Sequence, residues 1–138
     1  GLRGTLQSTV FKAGIGFVST VPLEKGRLYF LRGILGKDTQ RILVVNEVHP
    51  LIKARIAPTV IKTGNAGGRT VQNSPGPSTS GANNVALLVK VSGEVRNGVI
   101  DDGSCPLEID SEMNIGEGFK ALIGVVSVSN GKARLKID

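Results

Sequence analysis

Residues 122–138 read LIGVVSVSNGKARLKID, and the dipeptide Asn130-Gly131 inside them decides how the stretch folds. A two-residue type I′ turn needs positive φ at both central positions, which Asn followed by Gly tolerates best. With the turn closed there, Ser129 faces Lys132, Val128 faces Ala133, Ser127 faces Arg134, Val126 faces Leu135 and Gly124 faces Ile137. One face of the hairpin is then apolar. The other carries Ser127, Ser129, Lys132, Arg134 and Lys136, with Val125 alone out of place, so turn chemistry and period-two patterning specify one register.

The same grammar extends backwards. In 85–95, Val85, Leu87, Val89, Val91 and Val95 share one parity, with Lys90, Ser92 and Glu94 on the other. This predicts a central strand, which turns at a second Asn-Gly, Asn97-Gly98, into Val99-Ile100. Two such turns predict a meander. Between them and the terminal hairpin, 101–117 gathers six of the eleven acids: Asp101, Asp102, Glu108, Asp110, Glu112 and Glu117.

The first half reads as shorter strands. Residues 13–20 hold Gly14 and Gly16 beside Ile15, Phe17 and Val18, then run into a turn at Glu24-Lys25-Gly26. Residues 27–35 (RLYFLRGIL) and 39–46 (TQRILVVN) predict two strands joined by Gly36-Lys37-Asp38. Residues 51–56 predict a further short or edge strand bracketed by Pro50 and Pro58. Residues 1–12 predict an arm or first strand that orders on docking. From 63 to 84 the composition shifts to TGNAGGRTVQNSPGPSTSGANN, which predicts a long flexible loop with almost nothing to bury.

The expected fold class is therefore all-β: one small β-barrel, β-tulip or sandwich domain over 13–138 with antiparallel hairpins, the arm 1–12 and the loop 63–84. A chain of 138 residues suffices for one core and is too short for two domains. Cys105 is the only cysteine, so packing rather than an intrachain disulfide holds the fold, as suits a reducing compartment or a particle built inside a cell. The sequence holds no signal-peptide pattern and no apolar run near 18 residues, which predicts a soluble protein with no membrane partner.

Charge is unevenly placed. Residues 1–69 hold 11 Lys and Arg against 3 Asp and Glu, whereas 70–138 hold 6 against 8. Such halves fit association with further copies or with an acidic shell, and the basic half also fits nucleic acid.

Catalytic patterns fail when tested. Gly36-Lys37 lacks the upstream Gly of a phosphate loop, having Leu31 there, and carries Asp38 where Ser or Thr is needed. Ser129 and Lys132 have a Ser-x-x-Lys spacing, but that motif works from a helix and here it spans a tight turn. Cys105 and His49 lack any surrounding motif, and one Cys with one His does not build a zinc site. The acidic stretch lacks the alternating carboxylates and central Gly of a calcium loop. No enzyme, cofactor or metal is expected. Nucleic acid is the rival reading: small five-stranded barrels bind single strands with basic grooves and aromatic platforms. Arg27, Tyr29, Arg32, Lys37 and Arg41 are the residues that would serve it.

Three stretches together resemble a known group. The ending 122–138, the strand VALLVKVSGEV at 85–95 and the opening turn Val21-Pro22-Leu23-Glu24-Lys25-Gly26 are similar to corresponding parts of small phage head decoration, or cement, proteins. The resemblance implies a structural virion protein, assembled in the host cytoplasm, that forms homo-oligomers, often trimers, on the capsid surface and clamps the major capsid protein. A tail-tube or other assembly subunit shares that logic. The expected contact residues are Arg3, Lys12, Arg27, Arg32, Arg41, Lys53 and Arg55 on the basic side, and Asp101, Asp102, Glu108, Asp110 and Glu112 on the acidic side.

Overall fold

Asn130 and Gly131 have φ of 52° and 73°, and Asn97 and Gly98 have 50° and 73°, so both Asn-Gly pairs close two-residue turns of the expected hand. The computed structural model that contains them describes residues 2–7, 14–37, 41–68 and 84–138. Its strands are β1 (Leu2–Gln7), β2 (Gly14–Ser19), β3 (Arg27–Lys37), β4 (Arg41–Lys53), β5 (Thr59–Val60), β6 (Leu88–Arg96), β7 (Val99–Asp101), β8 (Leu107–Asp110), β9 (Gly118–Ser129) and β10 (Lys132–Lys136). A short 3₁₀ turn, Thr63–Asn65, lies between β5 and β6. The fold is all-β: one small domain with a closed five-stranded barrel and a separate four-stranded sheet.

The barrel follows the order β6-β7-β8-β10-β9, and β9 pairs back onto β6 to close it. Strands β6 to β8 form the expected meander. The chain then crosses to β9, and the hairpin inserts β10 beside β8 in parallel, with Arg134 opposite Glu108. This parallel pair corrects the reading of the whole as a meander, and β8 itself arises inside the acidic stretch, where Leu107 fills the core. The terminal hairpin keeps the expected register from Ser129–Lys132 to Val126–Leu135. At its end Ile137 donates its N–H to the Asp110 carbonyl (2.9 Å) on β8 instead of pairing with Gly124.

Val89, Val91, Val95, Ile100, Leu107, Val126, Ala133 and Leu135 fill the barrel. Every one is a small or branched side chain on the inward parity, as a narrow barrel requires. Gly93 and Gly124 mark the tight bends. A Cβ on either would come within 2.5 Å of backbone oxygen, at Asp101 and Lys136 respectively. The strand expected from Val85 begins at Leu88, because Ala86 takes φ of 65° in the turn before it.

The loop 63–84 is not wholly polar surface. Thr63, Ala66 and Asn84 are buried. Asn84 accepts from the Gly67 amide (2.6 Å) and donates to the Asn65 carbonyl (2.7 Å), tying the two ends of the stretch together. Residues 69–83 lie outside the described residues.

The other sheet has the order β1-β2-β4-β3. Of the arm 1–12, residues 2–7 form β1, antiparallel to β2, and 8–12 lie outside the described residues. β4 runs straight through Pro50 to Lys53, so the separate strand expected at 51–56 is in part the end of β4. Proline is tolerated there because β2 pairs with β4 only at Ile42, Leu43 and Val44, leaving β4 with one neighbour around Pro50 among the described residues. Gln7 Oε1 accepts from the Leu88 amide (3.1 Å), and Lys25 Nζ meets the Asp138 carboxylate at 2.8 Å, linking this sheet to the barrel. No described helix is long and apolar enough to cross a membrane.

Candidate functional site

The four-stranded sheet buries little of its own apolar surface. Among its described residues only Phe17 and Val45 are buried apolar side chains. In the β3–β4 ladder, Ile34 opposes Val44 and Leu35 opposes Leu43, and β2 adds Val18 beside Val44 and Phe17 beside Leu43. Directly opposed residues share a face, and consecutive ones take opposite faces. One face therefore carries Phe30, Arg32, Ile34, Val44 and Val18, and the other Leu31, Leu35, Leu43 and Phe17. Ile34 is 66% exposed and Leu35 65%; on β4 the consecutive Leu51 and Ile52 are 53% and 71% exposed. The face of the β3–β4 ribbon that carries Phe30, Ile34 and Val44 is thus exposed and apolar, and on the other Leu35 is exposed while Phe17 and Val45 are buried. An ordinary half-buried sheet alternates and wets only its polar side.

These apolar residues were not singled out by the sequence reading. The signal was present in residues 27–35, RLYFLRGIL, an apolar run without alternation in a chain whose described residues hold no α-helix to cover both sides of a sheet.

The expected basic contacts sit on this sheet. Arg3 lies on β1, Arg27 and Arg32 on β3, Arg41 and Lys53 on β4, and Arg55 just beyond β4; Lys12 lies outside the described residues. Two carboxylates hold several of them within the chain. Glu24 meets Arg27 Nε at 3.0 Å and Lys53 Nζ at 3.8 Å, and Glu47 meets Arg32 at 3.5 Å and His49 Nε2 at 2.6 Å. Exposed pairs of this kind contribute about 0–1 kcal/mol each. Phe30 stacks obliquely on His49, ring centres 6.0 Å apart.

The expected acidic contacts sit on the barrel: Asp101 on β7, Glu108 and Asp110 on β8, Asp102 and Glu112 just beyond those strands. Asp102 is a clamp. Its carboxylate accepts from the Thr63 amide (3.0 Å) and hydroxyl (2.8 Å), from the Ser104 amide (2.9 Å) and from the Ser104 hydroxyl. Partial burial opposes its charge, yet the hydrogen bonds from Ser104 and Thr63 outweigh that and lower its pKa to about 2. Asp101 accepts from the Gly103 amide at 2.8 Å. Glu108 lies 3.0 Å from Arg134 Nε, whose N–H points off the carboxylate, so this contact is Coulombic rather than hydrogen-bonded. The asymmetry of the sequence is thus an asymmetry between two structural units.

In the set of the nucleic-acid reading, one residue of β3 stands apart from the others. Arg27 and Tyr29 share a β3 parity opposite to that of Arg32, and the Tyr29 hydroxyl is engaged by the Glu24 amide at 2.7 Å. Oligonucleotide-binding barrels of this size use their second and third strands and the loops joining strands one to two and four to five. Here those strands, β7 and β8, carry Asp101, Glu108 and Asp110, and both loops are two-residue turns.

A cleft of about 470 Å³ opens beside the sheet, lined by Ser19, Val21, Tyr29, Val48 and Pro50 among others. Within it the Ser19 hydroxyl donates to the Val21 carbonyl (2.8 Å) and accepts from the Val21 amide (3.0 Å), and Arg27 Nε is held by Glu24 (3.0 Å). Among the described residues no three His, Cys, Asp or Glu side chains gather as a metal site. Cys105 packs against the Gly64 turn, and His49 is held by Glu47 on β4. No protein-family model, curated protein or solved structure matches this chain.

Proposed function

We propose that this chain is a structural subunit that works by being built into a protein assembly, with the four-stranded sheet as its contact element. The observation that carries the reading is the exposure of consecutive apolar residues, Ile34-Leu35 on β3 and Leu51-Ile52 on β4. A two-stranded ribbon is marginal in water by itself, and one with apolar side chains on both faces gains its stability from neighbours. Further copies of the chain are the neighbours that match, because each brings the same exposed apolar side chains to the contact. The finer form of the proposal is decoration of a phage head, with the major capsid protein as second partner and the virion as location. It rests on the resemblance of residues 21–26, 85–95 and 122–138 to cement proteins.

Solution mass by light scattering, at low and high salt and with a short mixed-sequence oligonucleotide, tests the proposal. It requires a discrete oligomer, indifferent to the oligonucleotide and little affected by salt, since an apolar contact depends weakly on ionic strength. A monomer that gains mass with the oligonucleotide and loses it in salt overturns it. Co-sedimentation with undecorated phage heads tests the finer form, and failure to sediment removes it.

A further inference from the structure

We infer that two copies of this chain join their four-stranded sheets edge to edge, through antiparallel pairing of β3 with β3 of the second copy. The inference rests on the assembly reading above and adds the strand and the bonding that carry the contact.

β3 is the terminal strand of its sheet and pairs with β4 alone among the described residues. At 11 residues it presents an edge of roughly 37 Å, at about 3.4 Å per residue. Its outward N–H and C=O groups are a template for another strand. Pairing two such edges yields on the order of ten backbone hydrogen bonds, the number found in a standard interface.

The side chains identify the occupant. Phe30 and Ile34 point to one face of β3, Leu31 and Leu35 to the other. An added strand of ordinary alternation extends one apolar stripe and leaves the other against water. β3 itself is apolar on both faces, so a second β3 extends both stripes. The other edge, β1, is six residues long and carries Arg3, Thr5 and Gln7 on one parity, a poor match to either stripe. The barrel is closed and among the described residues offers no comparable edge, β5 being two residues long. Positive charge does not forbid the contact, because Arg27 and Arg32 each arrive with a carboxylate, Glu24 and Glu47.

Residue-resolved amide hydrogen exchange on the full chain, above and below its assembly concentration, tests the pairing. In the assembled state successive amides along 28–36 exchange slowly. On dilution every second one, the outward set, accelerates at least tenfold, while the set bonded to β4 keeps its protection. An oligomer whose outward β3 amides exchange as fast as in the dilute protein overturns the edge contact and leaves the assembly reading standing. A chain that is monomeric at every concentration overturns both.

Discussion

Thr63 gives both its backbone amide and its hydroxyl to the carboxylate of Asp102, 39 residues further along the chain. Thr63 is fully buried, and this contact fastens the 3₁₀ turn to the segment between β7 and β8. Replacing Asp102 by Ala removes the acceptor of the Thr63 amide and leaves the Thr63 hydroxyl only its contact with Ser104 Oγ (3.2 Å), and is expected to cost about 1–3 kcal/mol of stability, read by urea denaturation at neutral pH.

The same contact sets an acid limb. The folded pKa of Asp102, about 2, lies below the ordinary value of 3.8 for a free aspartate, so its stabilisation is present above pH 4. It fades as pH falls towards 2. The denaturation midpoints of the native chain and of Asp102→Asn should differ above pH 4 and converge near pH 2. A difference that persists unchanged at pH 2 counts against the clamp.

Barrel closure depends on two missing side chains. Gly93→Ala and Gly124→Ala each push a Cβ into a backbone oxygen that has no rotamer by which to escape. Each should cost about 1–3 kcal/mol or more, measured by thermal unfolding. Gly16→Ala, whose nearest neighbour would be 3.8 Å away, serves as the tolerated control.

The terminal turn depends on handedness. Gly131 has φ of 73°, so Gly131→Val places a β-branched residue in the left-handed region and should cost about 1–2 kcal/mol. In the barrel core, Leu135→Ala should cost about 2–5 kcal/mol, whereas Phe119→Ser, at a site 80% exposed, should leave monomer stability nearly unchanged.

Where local chemistry is strong, the sequence was readable. Asn130-Gly131 and Asn97-Gly98 gave their turns, and the alternation of Val89, Val91 and Val95 gave the inward face of β6, because positive φ and period two are properties of the residues themselves. Where a distant partner decides, the reading failed. Leu107 makes β8 a core strand despite the acids around it, since β10 arrives in parallel beside it. Thr63 is buried because Asp102 satisfies it. Pro50 sits within β4 because, among the described residues, no strand lies on its far side there. For the candidate site, the division of charge was legible, but the pairing of Arg27, Lys53 and Arg32 with Glu24 and Glu47 needs the register. Ile34, Leu35, Leu51 and Ile52 become notable only through their exposure in the folded sheet.

The central claim is that this bare sheet is an assembly surface. The most direct measurement is solution mass by light scattering of the native chain beside the double variant Ile34→Lys with Leu35→Lys, circular dichroism confirming that both keep their β structure. The account predicts a native mass that is a whole multiple of the single chain and a variant that reverts to the single-chain mass. A folded native chain at the single-chain mass, or a variant that assembles as well as the native protein, would contradict it.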